Sequence, residues 1–365
     1  HNDKIFRSKT PHMIKTFNRV LHIQSLLHSY QYNLSRNGTY RFPLTRKISS
    51  SMAQRNTSPT KQNGQNRSSK KTSTTLPDVQ TLSALTTEPF VDTHTHLHYT
   101  LERLPNTFGV ETFQILKERY CPPNLEACVN VLCDPLSFSS DEVFPGTYMD
   151  WKVMAETPFM YLAAGVHPHS ARDYNDYIET QMCKILQHPK TVALGEIGLD
   201  YHYDNSPRDV QRRVFIRQIE QAKKLQKPLV IHTREAEEDT WDILTKHVPK
   251  DWKIHVHCFT DSPGLAKKLL DYFPNLYIGI TGVVTYGSAK NTQEIVRSVV
   301  PLNRILLETD APYMTPAKLN RNKRTNEKVT VSHSGMIPFV AQKIAEITDK
   351  EIDVIMRAAR DNTRS

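Results

Sequence analysis

The stretch VALGEIGLDY, residues 192–201, opens as a short apolar run of strand type and then changes character. Gly195, Glu196 and Gly198 follow the run, with Asp200 two residues further on. A carboxylate between glycines at the end of a buried strand is costly to leave unpaired, so a cation is expected opposite Glu196: an arginine, a lysine or a metal ion. Gly195 and Gly198 carry no Cβ and are expected to let backbone and ions approach closely. Runs of similar length recur outward from this one: PFVDTH (89–94), ACVNVLC (127–133), MYLAAGVH (160–167), TVALGEIG (191–198), PLVIHT (228–233), KIHVHCF (253–259), LYIGITG (276–282) and RILLETD (304–310). Helix-length amphipathic segments separate several of them, including RDVQRRVFIRQIEQAKKLQ (208–226), AEEDTWDILTKHV (236–248) and TQEIVRSVV (292–300). Strands alternating with helices imply parallel βαβ units. Eight units over roughly 275 residues match an α/β fold of the (β/α)8 TIM-barrel type. An open doubly wound sheet is the rival, but it gathers ligands at a switch point between few strands. Here the residues with chemistry end most of the runs, as a barrel requires.

The 365 residues are enough for one large domain with an appendage. Of 47 Lys and Arg, 14 lie between Lys4 and Pro77, a stretch without one Asp or Glu. The formal charge of +9 therefore belongs to the N-terminal part, and the body, which carries nearly all of the 38 acidic residues, is mildly acidic. Residues 1–87 are expected to be a disordered basic extension, too poor in apolar clusters to offset chain entropy. MIKTFNRVLHIQSLLHSY, from Met13, is Arg-containing, acid-free and partly amphipathic, compatible with a mitochondrial transit segment or with a plain tail. The chain starts at His1, which suggests a fragment, and Met52 is another candidate start. The barrel is expected over 88–365. Five widely spaced cysteines without a CxxC pair suit a reduced intracellular protein of the cytoplasm or nucleus, and no run is apolar enough for a membrane span.

His94 and His96 end the first run, two apart on a strand and so on one face, where both imidazoles can reach one ion. Taken alone, HxH is often incidental, and a single buried Glu196 is more often salt-bridged. His232 and His257 end the fifth and sixth runs at equivalent depth, and Asp310 ends the eighth. Together these residues offer four imidazoles and two carboxylates from five strand ends. Mixed nitrogen and oxygen donors suit Zn, Mn, Fe or Mg. Six donors exceed what one ion with an open position takes, but fit two divalent ions bridged by a carboxylate. Arg234, two residues after His232, is placed either to bind phosphate or to pair with Glu196 or Glu308. Asp200 is expected to orient a ligand histidine.

The motifs VDTHTHL (91–97), GVHPH (165–169), GEIGLDY (195–201), PLVIHTRE (228–235), HCFT (257–260), GITG (279–282) and ETDAPYMTP (308–316) resemble the TatD family of metal-dependent deoxyribonucleases, among the amidohydrolase-like barrels. The resemblance runs from about Pro89 to the C-terminus. It implies that His94 and His96 bind a first metal, that Glu196 bridges both, and that His232 and His257 hold the second. Asp310 then returns to the first ion and orients the attacking water. It makes His167 and His169 contacts to substrate or to the ligands, with Glu308 in a similar supporting position. The activity implied is hydrolysis of phosphodiester bonds, chiefly from a DNA 3′ end; separately, RNA is kept as a candidate substrate, the two ions are expected to be Mg, Mn or Zn, and a monomer is expected. His98 stands where the family usually has Asp, Asp261 where it has glycine, and NRNKRTNEK (320–328) matches the family segment only in part. The chain stops at NTRS, short of an expected apolar pair. The alternatives are hydrolysis of a cyclic amide or aminoacyl ester, which such barrels often perform with a carbamylated lysine as bridge, and a silent nucleic-acid-binding module led by the basic tail.

Overall fold

The computed structural model describes residues 76–104, 108–203, 205–321, 326 and 328–365. The basic extension up to residue 75 and part of the 320–328 segment lie outside the described residues. All eight runs form strands: β1 Phe90–Thr95, β2 Leu125–Leu132, β3 Met160–Ala164, β4 Thr191–Asp200, β5 Leu229–Arg234, β6 Ile254–Val256, β7 Leu276–Ile280 and β8 Ile305–Leu307. They pair in parallel in sequence order from β1 to β8. The β8–β1 seam has no regular ladder but is drawn together past the strand ends. Asp310 N donates to His94 O (2.9 Å), His96 N to Ala311 O (2.7 Å), and Thr93 Oγ1 to Leu307 O (3.0 Å). The result is a nearly closed (β/α)8 barrel. Small and branched side chains, Val131, Ala163, Ala193 and Val230, pack together as one buried cluster.

The expected helices form at Arg208–Leu225 and Glu237–His247, while the third segment is split into Lys290–Glu294 and a wider turn over Ile295–Val299. Start signals are local: Asn175 accepts from Tyr177 N and Ile178 N, and Ser262 accepts from Leu265 N ahead of Pro263. The last helix, Ile352–Arg364, lies against the entry end of the barrel, where Arg360 and Arg364 each pair with Glu126 of β2 at 2.5 Å. Residues ahead of the expected boundary at 88 belong to the packed body: in the helix Val79–Ser83, Leu82 is buried with Leu319, Val329, Met336 and Phe339. All five cysteines are free, and no described helix is long and apolar enough to cross a membrane.

The glycines of β4 let a neighbouring backbone approach closely, as expected of them. A Cβ at Gly195 would meet Val230 at 2.5 Å, and one at Gly198 would meet the His232 carbonyl oxygen at 1.9 Å. Both positions have positive φ, and both are bare so that β5 can approach β4.

Candidate metal centre

Between the pairs Leu194↔Leu229 and Ile197↔Ile231, β4 spends one more residue than β5. The extra residue makes a bulge, and a bulge re-aims the side chains beside it. Glu196 lies in that irregularity, 3% exposed, with its two oxygens facing different histidines. Its Oε1 is 2.7 Å from His257 Nε2, 2.8 Å from His232 Nδ1 and 3.3 Å from His167 Nε2. Its Oε2 is 3.5 Å from His94 Nε2 and 3.8 Å from His96 Nε2. Asp310 Oδ1 approaches the same two imidazoles, 3.4 Å from His96 and 3.8 Å from His94. The Asp310 backbone is left-handed (φ 50°), a conformation Asp accepts better than most residues, and the turn it makes carries the chain back over β1.

The orientation of each ring follows from its far side. His96 Nδ1 lies 2.9 Å from the Val131 carbonyl oxygen, which can only accept, so Nδ1 carries a proton and Nε2 is turned toward Asp310 and Glu196. His232 Nε2 lies 3.0 Å from Asp200 Oδ2, which turns Nδ1 toward Glu196 and His257. Asp200, expected behind one of the histidines, thus stands behind His232, and it also meets His169 Nε2 at 3.1 Å.

Burial opposes charge on Glu196, yet His257 and His167 hold its carboxyl well below the ordinary range. Burial likewise opposes charge on Asp310, and its bond to His96 holds its carboxyl low. His232, which burial would deprotonate, is pushed up to about 10 by Asp200 and Glu196. His94, wholly buried, is pushed down to about 4 by burial and by His257, stacked on it with ring centres 4.0 Å apart.

These donors suit a divalent cation. Among the described residues neither His94 nitrogen has a hydrogen-bond partner, and neither does His257 Nδ1, although burying an imidazole nitrogen without one is costly. Among the described residues three groups bring ligand atoms within 4.8 Å of one another: His94, His96 and Glu196; His94, His257 and Glu308; and His167, Glu196 and His232. Imidazole nitrogens beside shared carboxylates are the donors that Zn and Mn take.

The other predicted residues fall around this cluster. His167 and His169 follow β3, their rings 4.3 Å apart, with the His167 ring 4.6 Å from that of His232. Arg234 pairs with neither Glu196 nor Glu308 among the described residues; its guanidinium lies over the Tyr203 ring, 5.1 Å from the centroid. Glu308 is fully buried, facing His255 Nε2 at 2.8 Å and accepting from Cys258 N. Asp261, which replaces the family's glycine, is not in a positive-φ conformation; it accepts from Thr233 Oγ1 (3.0 Å) and Glu235 N (3.3 Å). His98 is buried beside Asn130, whose amide Nδ2 lies 3.1 Å from its Nδ1.

Two residues in the cluster's surroundings escaped the sequence reading. His255 shares with His257 the HxH spacing that marks His94 and His96, so the signal was there. Asp92 had no such signal: its fully buried carboxylate accepts from Thr309 N (2.9 Å) and Thr309 Oγ1 (2.6 Å), across the seam.

Residues 91–365 match the family described as TatD related DNase. A human relative described as the 3'-5' RNA nuclease TATDN2 is 38% identical over 277 residues, covering 76% of this chain but 35% of its own length. The chain thus spans about a third of that relative. The Bacillus subtilis protein YabD, described as an uncharacterized metal-dependent hydrolase, is 35% identical over 213 residues, or 58% of this chain and 79% of its own. Among solved structures, the Escherichia coli TatD homologue YJJV superposes with a TM-score of 0.59 at 22% identity, over 75% of this chain and 96% of its own, a likeness of fold. With the match over 91–365 and the barrel in place, this chain belongs to the TatD-related DNase family.

Proposed function

We propose that this chain is a metal-dependent nuclease that hydrolyses phosphodiester bonds, removing nucleotides from a 3′ end. The observation that carries the reading is Glu196, whose Oε1 serves His232 and His257 and whose Oε2 serves His94 and His96. In this reading His94, His96 and Asp310 would hold one ion, His232 and His257 would hold another, and Glu196 would serve both. Two divalent ions of the Mn, Zn or Mg kind, when bound, supply a water activated at neutral pH and positive charge against the phosphate oxygens.

The protein's own groups do the rest. Asp310 orients the attacking water and takes its proton on the carboxylate. Asp200 holds His232 in one tautomer, and the Val131 carbonyl does the same for His96. Arg234, at the end of β5, is placed to hold a phosphate oxygen by its N–H groups. The family description favours DNA, and the human relative's description brings RNA into question as well. The free cysteines support a reduced compartment, cytoplasm or nucleus, and the chain is read as a monomer.

The test is digestion of 5′- and 3′-labelled single- and double-stranded DNA and RNA in EDTA, Mg, Mn or Zn. A ladder shortening from the 3′ end, abolished by EDTA, is the expected result. Cleavage undiminished by EDTA, or none with any metal, would overturn the reading.

A further inference from the structure

Glu308 takes no part in the chemistry proposed above, yet its carboxylate is fully buried, out of reach of a substrate. A buried carboxylate persists where cations and hydrogen-bond donors compensate it. Glu308 follows β8, but its compensation comes from β6, on the far side of β7. His255 Nε2 lies 2.8 Å from its Oε2, and Cys258 N donates to its Oε1. Burial opposes charge on this group, and His255 and His257 hold its carboxyl below the ordinary range.

To reach β6 the side chain crosses β7 over Gly279. A Cβ at that position would meet both Glu308 carboxylate oxygens at 2.6 Å and would crowd His255 Nε2. Gly279 has no positive φ, so the absence of a side chain answers to the crossing and not to the backbone.

The crossing ends at a kink. β6 pairs regularly with β7 as far as Val256↔Ile278, and the two chains next meet where Phe259 N donates to Gly279 O (3.1 Å). β6 therefore runs from Val256 to Phe259 while β7 advances only from Ile278 to Gly279. His257 and Cys258 are the surplus, and such a surplus bends the strand and re-aims its side chains. Cys258 takes a left-handed conformation (φ 42°), which persists only when the surroundings hold it. Its N–H, which β7 does not receive, is received by Glu308. The kink carries His257 Nε2 to within 2.7 Å of Glu196 Oε1.

We infer that Glu308, braced by His255 and passing over Gly279, is a positioning residue that holds the β6 kink and thereby aims His257 at Glu196. Asp310 lies two residues after Glu308 in the same segment, so one carboxylate ties the place of His257 to that of Asp310. The inference rests on the two-ion reading above and deepens it.

The experiment compares the full-length protein with Glu308→Gln, His255→Gln and Gly279→Ala, each checked for folding by circular dichroism. The two Gln variants come closest to keeping side-chain bulk, and Gly279→Ala leaves every polar group in place while obstructing the crossing. Calorimetric titration of the metal-free proteins with Mn is expected to show the His232–His257 class weakened by roughly 10- to 100-fold, with the His94–His96–Asp310 class changed by less. On bis-p-nitrophenyl phosphate with Mn, kcat is expected to fall by a similar factor with KM within about twofold, because the aim of a ligand changes and no contact to substrate is lost. Agreement between Gly279→Ala and Glu308→Gln would assign the loss to the crossing rather than to the charge alone. Folded Gln variants that keep both classes and kcat within about twofold of wild type, or that weaken both classes equally, would overturn the positioning role. A wild-type protein that takes up Mn but cleaves no diester with any metal would instead remove the nuclease reading, and the titrations would still decide the role of Glu308.

Discussion

His94 and His96 share one strand and meet Asp310 across the barrel's unladdered seam, whereas His232 and His257 come from adjacent strands joined by a regular parallel ladder. The seam set is closed off: His94 is fully buried and His96 almost so. Its shape depends on hydrogen bonds outside any sheet, from Asp310 N to His94 O, from His96 N to Ala311 O, and from Thr309 to the Asp92 carboxylate. The ladder set is more open, with the His232 side chain 17% exposed, and it is steadied by one carboxylate, Asp200, shared with His169. Geometry is imposed on the seam set by a side-chain clamp and on the ladder set by strand pairing. Glu196 belongs to both, and His94 of the seam set stacks on His257 of the ladder set.

That difference can be broken at its common point first. Glu196→Ala is expected to lower phosphodiester hydrolysis by on the order of 10³-fold or more, the scale of losing the charge stabilisation that bound metal gives a transition state. Metal titration of the folded variant, checked by circular dichroism, should show both sets weakened; a variant retaining full activity and two tight sites would remove Glu196 from the bridge.

The two sets can next be separated. Asp92→Ala deletes the seam clamp and is expected to weaken metal binding to His94, His96 and Asp310 by roughly 10- to 100-fold, as losses of supporting carboxylates do. Asp92→Asn, which keeps an acceptor for Thr309 N, should recover part of the affinity. Asp200→Asn is expected to weaken the other class by a similar roughly 10- to 100-fold, because the His232 ring N–H loses the charged acceptor that orients it. Calorimetric titration resolving two classes of site distinguishes these outcomes. Equal weakening of both classes by either variant would mean that the sets are not built independently.

The smallest expected effect concerns acid. The segment after β8 contains His333, fully buried, accepting from Gly335 N at 3.2 Å and pushed down by burial to about 4. The folded chain keeps this ring neutral while the unfolded chain protonates it near the ordinary histidine value. The contribution to stability is therefore complete above about pH 6.5 and is lost as pH falls toward 4. Thermal melts of metal-free protein should show Tm falling over that window, with a shallower fall in His333→Asn. Identical slopes would assign the acid sensitivity elsewhere.

The eight strands were legible because each is an apolar run of one length bounded by turn residues, and burial inside a barrel requires that pattern wherever the chain comes from. His94, His96, Glu196, His232, His257 and Asp310 were legible for a related reason: polar donors at the ends of such runs conflict with their surroundings unless something compensates them. Asp200 could be placed behind a histidine, but not behind His232 in particular until β4 and β5 were in register.

The sequence by itself determined the strand–helix alternation, the set of donors at the strand ends, and the family. Only the tertiary structure decided which oxygen of Glu196 serves which histidines, that the β4 glycines admit β5, that Arg234 lies over Tyr203, and that Asp92 and Thr309, far apart in the chain, hold the seam together. The reason is one of range. Periodicity and turn chemistry are properties of a few neighbouring residues, whereas a bulge's aim, a strand's register and a clamp across a seam arise only when distant segments share space.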